Sequence, residues 1–135
     1  MRVLYVHILC ALSFVTTSLG DIRFHNPAQY PTGTKSTGIC IADLNNDGFN
    51  DVAVASRLSN SVTVLYNDGE GVFNSSATFE TGQHPRYVEG ADFDGDGDID
   101  LCTPDYYGMS TTILENDGEG NFSIHSQYDF FTPAF

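Results

Sequence analysis

Asp43-Leu-Asn-Asn-Asp-Gly-Phe-Asn-Asp51 returns as Asp92-Phe-Asp-Gly-Asp-Gly-Asp-Ile-Asp100, 49 positions further along the chain. The same offset carries Asn67-Asp-Gly-Glu-Gly-Val-Phe73 onto Asn116-Asp-Gly-Glu-Gly-Asn-Phe122, and Thr32-Gly33 onto Thr81-Gly82. Three landmarks in one register without an insertion define a structural repeat, and everything else is read against it.

Between the landmarks the pattern is that of β-strands. Ile39 and Ile41 alternate with Cys40 and Ala42 before the first acidic stretch, Val52-Ala-Val-Ala55 follows it, and Val62, Val64 and Tyr66 alternate with Thr63 and Leu65. Asn67-Asp68-Gly69 and Asn116-Asp117-Gly118 are expected to supply the positive-φ residues of tight hairpins, with a further strand starting near Phe73 or Phe122. In the second unit strands are expected over residues 87–93, 100–103, 111–114 and 122–128, and no segment keeps a helical period. Four short antiparallel strands per repeat describe a β-propeller blade; hexapeptide and nonapeptide solenoid repeats are far shorter than this unit. The expected fold is therefore all-β: two four-stranded blades, at residues 38–86 and 87–135, preceded over 21–37 by the leading strand of an incomplete blade and a linker. Two blades fall short of a ring, so the expectation includes exposed apolar faces and either a homo-oligomer or further blades.

The acidic stretches carry the chemistry. Oxygen-bearing side chains at alternating positions allow a short loop to aim positions one, three, five and nine at one point, with a backbone carbonyl added at position seven. The candidate ligands are Asp43, Asn45, Asp47, the Phe49 carbonyl and Asp51 in the first loop. In the second they are Asp92, Asp94, Asp96, the Asp98 carbonyl and Asp100. Gly48 and Gly97 permit the turn at position six. An all-oxygen set suits a hard cation rather than zinc, and Ca²⁺ at two sites is the expected cofactor, with Mg²⁺ disfavoured by its retention of water. An EF-hand is excluded, because position twelve is Val54 or Thr103 instead of Glu and the flanks are strand formers. The Asp98 side chain is expected to face water.

Composition agrees. Asp and Glu number 18 against 5 Lys and Arg, for a formal charge of −13, and eight of those acids lie in the two loops. Such a field disfavours nucleic acid and anionic lipid as partners. At the N-terminus, Arg2, the apolar run 3–15 and the small residues Ser18 and Gly20 read as a signal peptide over residues 1–20, cleaved before Asp21. That run is shorter than the roughly 20 residues a spanning helix needs. The chain is thus expected to be secreted, with no membrane span after cleavage. Asn74-Ser-Ser76 and Asn121-Phe-Ser123 are glycosylation sequons that fit this location. Whether Cys40 and Cys102 pair is left open by the sequence.

The stretch Gly38 to Ala55 with its continuation Ser61 to Phe73, and again Gly90 to Leu101, resembles the FG-GAP or VCBS repeat of integrin α subunits and other secreted or surface proteins. The resemblance covers residues 24–128 and implies a propeller whose acidic loops hold calcium at the residues named above.

Three functional readings follow. The first is an extracellular adhesion or recognition module whose loops, 57–61 and 106–110, meet a protein or a glycan. Tyr106-Tyr107 could stack on a sugar ring there or simply pack at a blade edge. The second is a propeller scaffold of a secreted hydrolase or lyase. His25, His84 and His125 fall in no catalytic motif, and no catalytic residue is assigned. The expectation is therefore a binding protein and not an enzyme. The third is a fragment of a longer protein.

Overall fold

The computed structural model describes residues 28–130. The signal-peptide reading, Arg23, Phe24 and His25 lie outside the described residues. Within them the chain forms eight strands and no helix: β1 Ser36–Ala42, β2 Asp51–Ser56, β3 Ser61–Asn67, β4 Phe73–Glu80, β5 Glu89–Ala91, β6 Asp100–Asp105, β7 Ser110–Asn116 and β8 Phe122–Asp129. They make two four-stranded antiparallel sheets of order β1-β2-β3-β4 and β5-β6-β7-β8. Each is a simple meander, as the repeat requires. The first strand of the second sheet is only three residues, shorter than the 87–93 expected: upstream of it Pro85 bridges Asp105 and the Arg86 amide donates to the Pro104 carbonyl of β6, but the ladder is interrupted at Tyr87 and Val88.

The sheets stack face to face on a core that both supply. Ala53, Ala55, Val62 and Val64 of the first sheet meet Val88, Leu101, Leu114 and Phe122 of the second, with Leu44 beneath. In register terms, Ala53 pairs Val64 and Ala55 pairs Val62, so these four share one face of β2 and β3. Small alanines on β2 let the sheets approach while the valines of β3 fill the space, and burying each such valine contributes about 1.5–3 kcal/mol. The other face of the first sheet carries Val52, Val54 and Leu65, packed with Tyr30 and Phe73.

Here the 49-residue offset becomes three-dimensional. Tyr30 meets Phe73 edge-on at 5.2 Å between ring centroids, and Phe79 meets Phe122 edge-on at the same 5.2 Å. Both members of the second pair lie 49 residues beyond those of the first. Left-handed backbone recurs in step as well: Lys35 (φ 57°) with His84 (61°), and Asn60 (52°) with Met109 (47°).

The hairpins between the third and fourth strands meet expectation at Gly69 and Gly118, which take positive φ, and depart from it in their width. Asn67, Asp68, Asn116 and Asp117 do not take positive φ; Gly69, Gly71, Gly118 and Gly120 do, at 80–85°. The Asn and Asp act through their side chains. Asn67 Oδ1 accepts the Gly69 and Gly71 amides at 3.1 Å, and Asp68 Oδ1 accepts those of Glu70 at 2.9 Å and Val72 at 3.2 Å. The result is a wider turn held by two side chains instead of a tight two-residue one.

Candidate cation-binding loops

Each acidic loop joins the first two strands of its sheet, and its geometry is set by carboxylates accepting backbone amides. Asp43 accepts from Asp47 N at 3.1 Å and Gly48 N at 2.9 Å; Asp92 accepts from Gly95 N at 2.6 Å and Gly97 N at 3.1 Å. Asp47 takes the Phe49 amide at 2.8 Å, and Asp96 that of Asp98 at 2.9 Å. Gly48 (φ 89°) and Gly97 (φ 100°) make the turn where expected.

Position nine is a brace. Asp51 is buried and accepts Leu44 N on Oδ2 at 3.0 Å and Asn67 N on Oδ1 at 2.8 Å. Asp100 is buried equally and accepts Phe93 N at 3.0 Å and Asn116 N at 2.9 Å. One carboxylate thus ties its loop to the hairpin of the same sheet. Desolvation pushes the Asp51 carboxyl above its ordinary range, the two amides pull it back, and Asp47 and Asp43 add repulsion.

The two loops differ as donor sets. Asp92, Asp94 and Asp100 each bring one carboxylate oxygen within 4.8 Å of the others, a group able to hold a metal ion. At Asp94 the Asp96 amide favours the charged form, but desolvation and repulsion from Asp96, Asp100 and Glu115 together lift the carboxyl above its usual value. Crowded carboxylates oppose one another's ionisation, and a divalent cation relieves that repulsion. In the first loop, Asn45 instead donates its side-chain amide to Asp47 Oδ2 at 2.9 Å, and Asp43, Asp47 and Asp51 do not form such a trio. Phe49 spreads its ring over Gly69, leaving no room for a Cβ there: an added one would lie 2.7 Å from the ring.

Asp98 corrects the expectation that position seven faces water. Its carboxylate lies against Gly118 and accepts the Asn46 side-chain amide at 2.7 Å. Asn46 also donates to the Gly118 carbonyl at 3.2 Å, so the first loop is hydrogen-bonded to the second and to its hairpin. One signal for this contact is legible in the repeat, since Asn46 stands where the second unit has Gly95. Two further links cross between the sheets and were missed by sequence reasoning: Asn116 Nδ2 donates to the Leu44 carbonyl at 2.9 Å, and the Tyr66 hydroxyl donates to the Gly120 carbonyl.

The sequon side chains Asn74 and Asn121 are exposed, and each donates its amide to a turn aspartate, Asp68 at 2.7 Å and Asp117 at 2.8 Å. Cys40 and Cys102 are free thiols, both half-buried. Tyr106 and Tyr107 are exposed and tilted together at 5.4 Å; Arg86 lies over the Tyr106 ring at 4.1 Å, and His84 stacks on Tyr107 at 4.1 Å. His125 Nδ1 contacts Glu115 at 2.5 Å beside the acidic trio. No described helix is long and apolar enough to cross a membrane.

No curated protein and no solved structure matches the chain. A family profile does: residues 43–103 match that of the FG-GAP-like repeat. The match runs from the first acidic loop through the second and includes the sheet boundary between them, so this stretch is similar to the FG-GAP-like repeat.

Proposed function

We propose that the protein is a secreted calcium-binding repeat module that recognises an extracellular protein or glycan. The observation that carries the reading is the pair of acidic loops in one register, with the Asp92, Asp94 and Asp100 oxygens gathered within 4.8 Å. The donor set is all oxygen and anionic, which fits a hard divalent cation. Asp92, Asp94, Asp96, Asp100 and the Asp98 carbonyl would hold the ion in the second loop. Asp43, Asn45, Asp47, Asp51 and the Phe49 carbonyl would hold it in the first. Bound there, calcium supplies charge neutralisation and a fixed loop shape.

The recognition half of the reading is supported by the exposed group Arg86, Tyr106 and Tyr107, whose rings and guanidinium offer flat surfaces for stacking. Titration calorimetry with CaCl₂ on the chelator-stripped protein tests the cation half, with Asp94→Asn as comparison. Heat of binding that Asp94→Asn weakens is expected; a flat titration, with the same melting temperature in calcium and in EDTA, overturns it. A glycan array and a cell-surface pull-down, both in calcium and with Tyr106→Ala as control, test recognition.

A further inference from the structure

The two glycosylation sequons are not equivalent in the repeat, yet they converge on one place. Asn74 and Asn121 are 47 residues apart, not 49; the counterpart of Asn74 is Ser123, and that of Asn121 is Val72. One asparagine follows the hairpin aromatic Phe73, and the other precedes Phe122. Each nevertheless reaches the same turn carboxylate: Asn74 Nδ2 donates to Asp68 Oδ2 at 2.7 Å, and Asn121 Nδ2 to Asp117 Oδ2 at 2.8 Å. The other oxygen of each carboxylate is held by backbone amides, from Glu70 and Val72 in the first hairpin and from Glu119 and Asn121 in the second. Both asparagine side chains are thereby fixed to their hairpins. Their surroundings leave room for a large group. Asn74 stands opposite no residue of β3, because the ladder passes from the Tyr66 and Ser75 pair to that of Asn67 and Phe73 and leaves it as a bulge. Asn121 lies just ahead of Phe122, whose pairing with Asn116 ends the other ladder. Asn74, Ser75, Ser76, Asn121 and Ser123 are all exposed, and only Phe122 turns into the core. β4 and β8 are the last strands of their sheets, with no further strand beyond them among the described residues.

We propose that Asn74 and Asn121 both carry N-linked oligosaccharides, oriented by the turn aspartates and placed at the acidic-loop end of the sheets. The proposal rests on the secreted reading above, because the sugar donor, a lipid-linked oligosaccharide pyrophosphate, belongs to the secretory pathway. In the transfer, the bond from the sugar's anomeric carbon to the pyrophosphate oxygen breaks and the lipid pyrophosphate leaves with the electron pair. The same carbon bonds to Nδ2, which gives up one of its two hydrogens as a proton. The second hydrogen stays to donate to Asp68 or Asp117, so the tie to the turn survives modification and sets the direction in which the sugar leaves the surface. The hairpins and the acidic loops share one end of the strands, as the Asn67 amide on Asp51 and the Asn116 amide on Asp100 require. The turns from β2 to β3 and from β6 to β7, the second of which holds Tyr106 and Tyr107, lie at the other end. Sugars at the first end leave the group proposed for recognition uncovered.

Expression in cultured animal cells tests this, once as the full chain and once with residues 1–20 replaced by an established leader. Gel mobility and intact mass are read in medium and cell lysate, before and after peptide-N-glycosidase, and peptide maps identify the asparagines that the enzyme converts to aspartate. Both positions are expected to be converted, and Asn74→Gln and Asn121→Gln are each expected to remove one glycan. Ser76→Ala and Ser123→Ala are expected to remove the same glycans while leaving each asparagine and its bond to the turn in place, and they serve if the glutamine variants do not fold. A chain behind the established leader with either asparagine unmodified would overturn the proposal, as would a serine variant that keeps its glycan. If that chain is modified at both positions while the full chain stays in the cell unmodified, the acceptor sites stand and the secreted reading fails.

Discussion

Asp51 accepts the backbone amide of Asn67 at 2.8 Å while its other oxygen holds Leu44 N at 3.0 Å, so one buried side chain fixes both ends of the path from loop to hairpin. Asp100 repeats the arrangement with Asn116 and Phe93. Removing the carboxylate strands two amides, each costing about 1–3 kcal/mol when buried and unpaired. Asp51→Ala and Asp100→Ala are therefore each expected to lose about 3 kcal/mol, and the Asn variants, which keep one acceptor, to lose less. Urea unfolding in EDTA checks this independently of any cation; equal losses for Ala and Asn would contradict the bracing role.

Gly69 combines positive φ, 85°, with the Phe49 ring lying where a Cβ would go. Gly69→Ala is expected to cost about 1–2 kcal/mol from the left-handed backbone, plus the ring displacement. In the double variant with Phe49→Ala the second part disappears and the first remains. A double-mutant cycle read by chemical denaturation separates them; strict additivity would show that the ring does not contribute.

The pH dependence of stability has a local source in Asp105. Its carboxylate is buried in the second sheet and accepts the hydroxyls of Thr112 at 2.6 Å, Thr103 at 3.1 Å and Ser110 at 3.5 Å. Desolvation nonetheless dominates and raises its pKa above the ordinary carboxylate value. Between that ordinary value, about 3.9, and the raised one, the folded state keeps a proton that the unfolded state has released. Stability from this group therefore falls as pH rises through that window and is fully present only below it. Melting curves of wild type and Asp105→Asn across the acid range should converge as pH rises if the wild type starts the more stable, or diverge if it starts the less; parallel curves would remove Asp105 as the source.

Burial raises the thiols of both Cys40 and Cys102, with Glu89 adding repulsion at each and Asp105 at Cys102. Thiolate is the reactive form, so both are expected to react slowly with iodoacetamide near neutral pH and fully once unfolded. Peptide mapping without reduction should recover each as a separate alkylated peptide, and a disulfide-linked pair would overturn the assignment of two free thiols.

The fold was legible because each repeat keeps the same side chains in the same jobs: the aspartate at position nine, the Asn-Asp pair of the hairpin, the aromatic at its end. The two sheets, their order and most strand positions followed from that register. What could not be read was set by what lies across the stack. Leu44 and Phe93 occupy the same place in the repeat, and only the neighbouring sheet makes the first fully buried and leaves the second half-exposed. Asp98 was expected in water for the same reason, since Asn46 approaches it from the other repeat, 52 residues away in sequence. In the loops the candidate donors follow alternation, but the first set is loosened by an asparagine that bonds its own neighbour.

The paired aromatic contacts give the sharpest test of how the stack is held. Phe122 is 8% exposed and sits in the core between the sheets, while Phe73 is half-buried and meets Tyr30 on the outer face of the first sheet. The centroid separation is the same 5.2 Å and both pairs are edge-on, at 87° and 67°, so an edge-on term of about 0.5–1.5 kcal/mol applies to each. The difference between them is burial. Phe122→Ala opens a cavity that Leu114 and Val88 border through the shared core, and it is expected to cost about 3–5 kcal/mol. Phe73→Ala leaves a site open to water and is expected to cost no more than about half of that. Guanidinium unfolding monitored by circular dichroism measures both. A Phe73→Ala loss equal to that of Phe122→Ala would mean that the contact to the leading segment stabilises the chain as much as the contact between the two sheets.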